Sequence, residues 1–175
     1  MTQRILLSLG VLFFLASCEK SYNNDLINES PPASVHFIRC KIDGVKKTFN
    51  ILVKATKQNA GGQNVISIFG KADSSLENIE RINMGISSLH EIRGGIYVEN
   101  DPYYTYVIDA VYNPDNTDEV WAVALTPRQT VPFTIAITNI TENYVQGTFK
   151  GMLYNNSGTG TAKKTITEGE FIAPF

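Results

Sequence analysis

The chain has 175 residues, 43% of them hydrophobic, with 15 basic against 17 acidic side chains and a formal net charge of −2. That balance excludes the long basic face of a nucleic-acid binder, since Lys46-Lys47 and Lys163-Lys164 are the only basic doublets and both sit in strand-like or turn-like sequence, where lysines guard sheet edges. A chain of this length buries about two-thirds of its unfolded surface as a single core, so one domain without disulfide staples is the economical count.

The N-terminus reads as an export signal. Arg4 supplies a short positive region, and Ile5 to Leu15 form an apolar run interrupted by Ser8 and Gly10, too short for a stable bilayer span. The order Leu15-Ala16-Ser17-Cys18 that closes it resembles the lipobox of bacterial lipoproteins. By that resemblance residues 1–17 are a signal peptide, and Cys18 is lipidated and becomes the first residue of the mature protein. Several buried acyl chains, at about 0.8 kcal/mol per methylene, make such an anchor lasting. Residues 18–33 are polar, lack either structural period and end in Pro31-Pro32, as expected of a tether. With Cys18 lipidated, Cys40 is the one remaining thiol and no intramolecular disulfide can form. It alternates with Ile38 and Ile42, which predicts a core position.

From Ser34 to Phe175 the pattern is that of one all-β domain, with short Val, Ile, Thr, Phe and Tyr-rich runs punctuated by Gly, Asn, Asp and Pro. Ser34 to Ile42 is the first predicted strand. Asp43-Gly44 makes a tight hairpin turn, and Val45 to Ala55 returns. After a loop at Asn59 to Gly62, strands are expected over Asn64 to Lys71 and Ile79 to Ser88. Gly94-Gly95 opens Ile96 to Glu99. Tyr103 to Tyr112 is expected to pair with Glu119 to Leu125 across a turn-rich loop, Asn113 to Asp118. Phe133, Ile135 and Ile137 alternate with polar or small residues, Asn139 to Asn143 turns, and Val145, Gly147 and Phe149 share the next inward face. Ala162 to Ala173 closes the domain with a bulge near Gly169, because Ile166 and Phe171 fall on opposite parities. The result is an antiparallel fold of about nine or ten strands, either a two-sheet β-sandwich or a flattened β-barrel. Ser74 to Arg81 offers at most a helical turn.

Chemistry is sparsely encoded. His36 and His90 are far apart, each beside apolar neighbours, and no HExxH, GxSxG, P-loop or CxxC pattern occurs, so no catalytic residue and no cofactor is expected. Asp115, Asp118 and Glu119 are the weak candidates for a metal, as oxygen donors on a tight loop, but their spacing lacks the glycine and distal Glu of a calcium loop. Glu168 and Glu170 read as exposed carboxylates on one face rather than an acid and base pair. Aromatic residues are the richer signal: Tyr103, Tyr104, Tyr106, Tyr112 and Trp121 fall within two adjacent predicted strands. Tyr104, Tyr106 and Tyr112 share the inward parity with Ile108 and Ala110, which leaves Tyr103, together with Trp121, as the candidate ligand-binding rings. Trp121 alternates with Val123 and Leu125, so a core position is the competing expectation.

The lipobox, the tether, the Ile42-Asp43-Gly44 strand end, Thr138-Asn139-Ile140-Thr141 running into Gly147-Thr148-Phe149, and the closing Gly169-Glu170-Phe171 together resemble small all-β lipoproteins of the Bacteroidetes that carry no assigned activity. In that group a Gly-Thr-Phe-like triplet is followed by a last strand ending in a Gly-x-Phe-like triplet. The resemblance implies a cell-envelope protein anchored in the outer membrane by its lipid. An acidic run directly after the lipidated cysteine marks surface export in that group. Here Glu19 is followed by Lys20 and uncharged residues up to Asp25, which implies the periplasmic face. The expected function is a non-catalytic accessory module binding a glycan, a peptide or an envelope protein. The alternative is a structural or assembly lipoprotein that pairs with an envelope protein through a sheet edge.

Overall fold

The structure, a computed structural model, describes residues 36–72, 80–103, 105–114, 119–123, 131–155 and 162–175. The predicted lipidation site Cys18, the tether and residues 74–79 of the helical turn predicted over Ser74 to Arg81 lie outside them, and Arg81 itself opens a strand.

Among the described residues the regular structure is all strand, and every pairing is antiparallel. The first hairpin joins β1 (Phe37–Ile42) to β2 (Val45–Phe49) through Asp43 and Gly44, both at positive φ (50° and 81°), the twist that a two-residue turn needs. Asp43 also ties this turn to the end of the chain, since its carboxylate accepts from the Thr165 amide at 2.8 Å and its own amide donates to the Thr165 carbonyl at 2.9 Å. The remaining strands are β3 (Ile51–Ala60), β4 (Gln63–Lys71), β5 (Arg81–Ser88), β6 (Gly95–Val98), β7 (Tyr106–Asn113), β8 (Trp121–Ala122), β9 (Thr134–Ile140), β10 (Tyr144–Asn155) and β11 (Lys163–Pro174).

Their order across the sheet is β2-β1-β11-β10-β8-β7-β5-β4-β3. The two outermost strands, β2 and β3, are consecutive in the chain and meet at a bend at Asn50, and Leu52 just beyond sits at φ 51° in a bulge of β3 against β4. The sheet therefore curls back on itself as a nearly closed barrel, consistent with the predicted antiparallel all-β fold. It also corrects the predicted single strand Val45 to Ala55, which the bend divides into β2 and β3. Strand β10 is shared: Val145 to Lys150 pair with β9, which carries β6 on its far side, while Tyr154 and Asn155 pair with β8. The predicted strand from Tyr103 begins only at Tyr106, because Pro102 interrupts the ladder and the Asp101 carboxylate caps the Thr105 amide at 2.9 Å, holding a loop.

The core is one cluster inside the barrel. Its tightest region explains the two triplets that close the sequence. Gly147 lies opposite Phe171 and Phe149 opposite Gly169, so each ring covers the facing glycine. A β-carbon on Gly147 would strike the Ala136 carbonyl and the Phe171 ring, and one on Gly169 would strike the Phe149 backbone and ring. Phe133 stacks on Phe149 at 6.3 Å and Phe149 meets Phe171 at 6.4 Å. The predicted bulge is present. Arg39 and Lys41 face Glu170 and Thr167, so three steps of β11 oppose two of β1, and Glu168 takes the left-handed conformation at φ 52°. Ile166 and Phe171 both reach the interior as a result.

Candidate functional site

Three places gather functional side chains: a polar cluster in the barrel wall, an outer depression, and a groove at the barrel's seam.

In the wall, Glu80 accepts from the Tyr112 hydroxyl at 2.5 Å and pairs with Lys47 at 2.9 Å. Cys40, directly opposite Lys47 in the first hairpin, is buried as predicted. Burial, and then the Glu80 charge, push its thiol up to about 12, so it is held protonated and poorly nucleophilic. The Tyr112 phenol is likewise raised, by burial first and then by its hydrogen bond to Glu80. These groups satisfy one another and hold β1, β2 and β7 together around the entrance to β5.

The outer depression, about 690 Å3, crosses β6, β9, β10 and β11, where the small side chains of Thr134, Ala136 and Thr148 leave a trough beside exposed Ile96. Glu168 and Glu170 flank it, exposed as predicted, and are paired with Lys41 at 2.6 Å and Arg39 at 2.7 Å. Such exposed pairs contribute at most about 1 kcal/mol each.

The groove at the seam is larger, about 770 Å3, and open to solvent. One wall is Ala55 to Gln58 of β3. A second is the segment Glu91-Ile92-Arg93, and a third is the β9–β10 connection, Asn139 to Glu142, with Phe175 beside it. Local chemistry fixes each wall. The Tyr97 hydroxyl donates to the Arg93 carbonyl at 2.8 Å and accepts from the Arg93 amide at 3.0 Å, and the ring packs edge-on against Tyr106 at 5.0 Å. Ile92 is buried beneath. Thr141 locks the turn, its Oγ1 accepting from the amides of Asn143 and Tyr144 at 3.2 and 3.1 Å, and the Phe175 amide donates to the Asn143 carbonyl at 2.9 Å. The lining is amphipathic: Ala55, Ile92, Ile140 and Phe175 are apolar, while Lys57, Glu91, Arg93 and Glu142 stand at the rims. Arg93 grips Glu91 at 2.7 Å, which holds that carboxyl below its ordinary range.

The two candidate rings separate. Tyr103 projects from the β6–β7 loop, 82% exposed. Trp121 is 8% exposed, its Nε1 donating to Glu119 at 3.0 Å and Lys164 lying over its ring at 4.6 Å, so it belongs to the core and joins Tyr103 in no exposed aromatic platform. The candidate metal residues Asp115 and Asp118 lie outside the described residues, and no group of three His, Cys, Asp or Glu comes together among the described ones. The seam groove itself was not foreseen. Its walls lie far apart in the sequence, and the free outer edge of β3 is readable only once β2 and β3 are separated. No protein-family model, curated protein or solved structure matches the chain.

Proposed function

We propose that this protein is a lipid-anchored accessory module of the bacterial cell envelope that acts by binding rather than catalysis, with the seam groove as its ligand site. The observation that carries the reading is the groove itself: an apolar floor among three walls, β3 and two connections pinned by their own hydrogen bonds, with charges of both signs at the rim. A pocket of that size with few convergent polar groups suits recognition of a ligand that is itself partly apolar, whether a glycan, a peptide or a segment of an envelope protein. The lipobox ending in Cys18 supports outer-membrane anchoring, and the sequence after it supports the periplasmic side. The unpaired edge of β3 favours a second reading, assembly with an envelope protein through that edge.

The test uses the lipidated full-length protein purified in detergent micelles. Mass spectrometry of its N-terminus should find acylated Cys18, and Cys18→Ser should release the protein to the soluble periplasmic fraction. Presented to arrays of envelope glycans, peptidoglycan fragments and short peptides, the protein should bind one class saturably. Turnover of any of these without saturable retention would contradict the binding reading.

A further inference from the structure

The seam groove differs from the outer depression in having the backbone edge of a strand as one of its walls. Strand β3 stands at the end of the sheet path and, among the described residues, pairs with β4 alone. The two strands are joined by Gly61 and Gly62, and Ala60 faces Gln63 across that turn. Counting the antiparallel alternation from there, Gln58, Thr56 and Lys54 exchange bonds with β4, while Ala55, Lys57 and Asn59 direct their N–H and C=O groups the other way. These groups recur every second residue, about 7 Å apart, a spacing that another extended chain presents and a sugar ring does not. Ala55 lies at the buried foot of the groove, with Lys57 and Asn59 exposed above it.

The rest of the groove fits the same occupant. A strand laid beside β3 would turn every second side chain towards the apolar surface of Ile140 and Phe175. Charge narrows the match further. Glu91 is engaged chiefly by Arg93, and Lys57, which adds only the weakest of the attractions on that carboxylate, makes no ion pair within 4 Å among the described residues. An edge lysine discourages indiscriminate pairing, and an acidic residue opposite it makes pairing selective. From the edge, the floor and the charge together, we infer that the ligand of the seam is an extended segment of a partner polypeptide. It adds as a strand to β3, seats an apolar side chain on Ile140 and Phe175, and sets an acidic one against Lys57.

This inference rests on the seam being the binding site and names the ligand class. The probe is a library of random short peptides, screened beside a glycan array with the lipidated protein in micelles. Selected peptides should pair an apolar residue with an acidic one. Bound peptide should slow hydrogen exchange at the Lys57 and Asn59 amides by at least about tenfold. Lys57→Pro removes an edge N–H that the β4 ladder does not use, and should weaken binding by about tenfold, against about threefold or less for Lys57→Ala. If Lys57→Pro does not fold, the exchange measurement on the native chain decides alone. Peptides that bind without protecting these amides, or a glycan bound in their place, would overturn strand addition while leaving a binding module. Failure of both arrays would overturn the binding reading as well.

Discussion

Gly147 and Gly169 show how much a single missing side chain can fix. Each sits under the phenylalanine of the facing strand, and each would drive a β-carbon into backbone as well as ring. Gly147→Ala should therefore destabilise the domain by about 1–3 kcal/mol in chemical denaturation. Gly95→Ala, with open space around it and no positive φ, should be neutral or stabilise by up to about 1 kcal/mol. Equal effects at the two positions would refute the packing explanation. Cys40 gives a second residue-scale prediction. Its thiol is raised from 9.0 to about 12, so the folded state keeps a proton that the unfolded chain releases above pH 9.0. The stabilisation is whole below that pH and is lost as pH climbs towards 12. Urea titrations at rising pH should show stability falling above pH 9.0, and Cys40→Ala should flatten the fall, leaving the share due to Tyr112, whose phenol is raised in the same direction. Alkylation of native Cys40 at neutral pH should be at least about a hundredfold slower than in the unfolded chain.

Among the elements, β11 was the most legible and β3 the least. The opposite parities of Ile166 and Phe171 foretold the bulge, because a period of two leaves no other way to bury both. Deleting Glu168 leaves Ile166 and Phe171 four positions apart and on one parity, so a regular strand buries both and the cooperative thermal transition should be kept; deleting Thr167 as well leaves them three apart, turns one of them outward at about 1.5–3 kcal/mol and should shift the transition sharply down. A single deletion that loses the transition, or a double deletion that keeps it, would contradict the parity account of the bulge. The hairpin at Asp43-Gly44 was equally plain, since turn chemistry is local. The bend between β2 and β3 was not. Its one signal is Asn50, a lone turn-favouring residue between apolar neighbours that separates the two strands, and Leu52 adopts φ 51° without the glycine that would announce it. That conformation belongs to a bulge of β3 against β4, where Ile51 faces Lys71 and Lys54 faces Phe69. The Tyr103 strand was overextended for a related reason, as its alternation continued past the point where Asp101 and Pro102 end the ladder.

For the whole molecule, alternation identified which residues go inside but not where the sheet would fail to close. Trp121 went to the core by its parity, and the glycine and phenylalanine triplets found their partners across β10 and β11. The candidate site lies instead at the seam, where segments around residues 55, 92, 140 and 175 converge through topology alone. If the seam is where this protein binds, then filling it must abolish binding while leaving the barrel intact. Gln58 is exposed on β3 and lines the groove, so a large ring there should occupy the space with little cost to folding. The decisive measurement is a calorimetric titration of the best ligand from the array screen into the lipidated wild type, Gln58→Trp and Tyr103→Ala. Gln58→Trp should lose at least about tenfold in affinity, equivalent to about 1.4 kcal/mol, with its thermal transition unchanged, and Tyr103→Ala should lose less. Undiminished binding by Gln58→Trp, or a loss confined to Tyr103→Ala, would contradict the seam as the site.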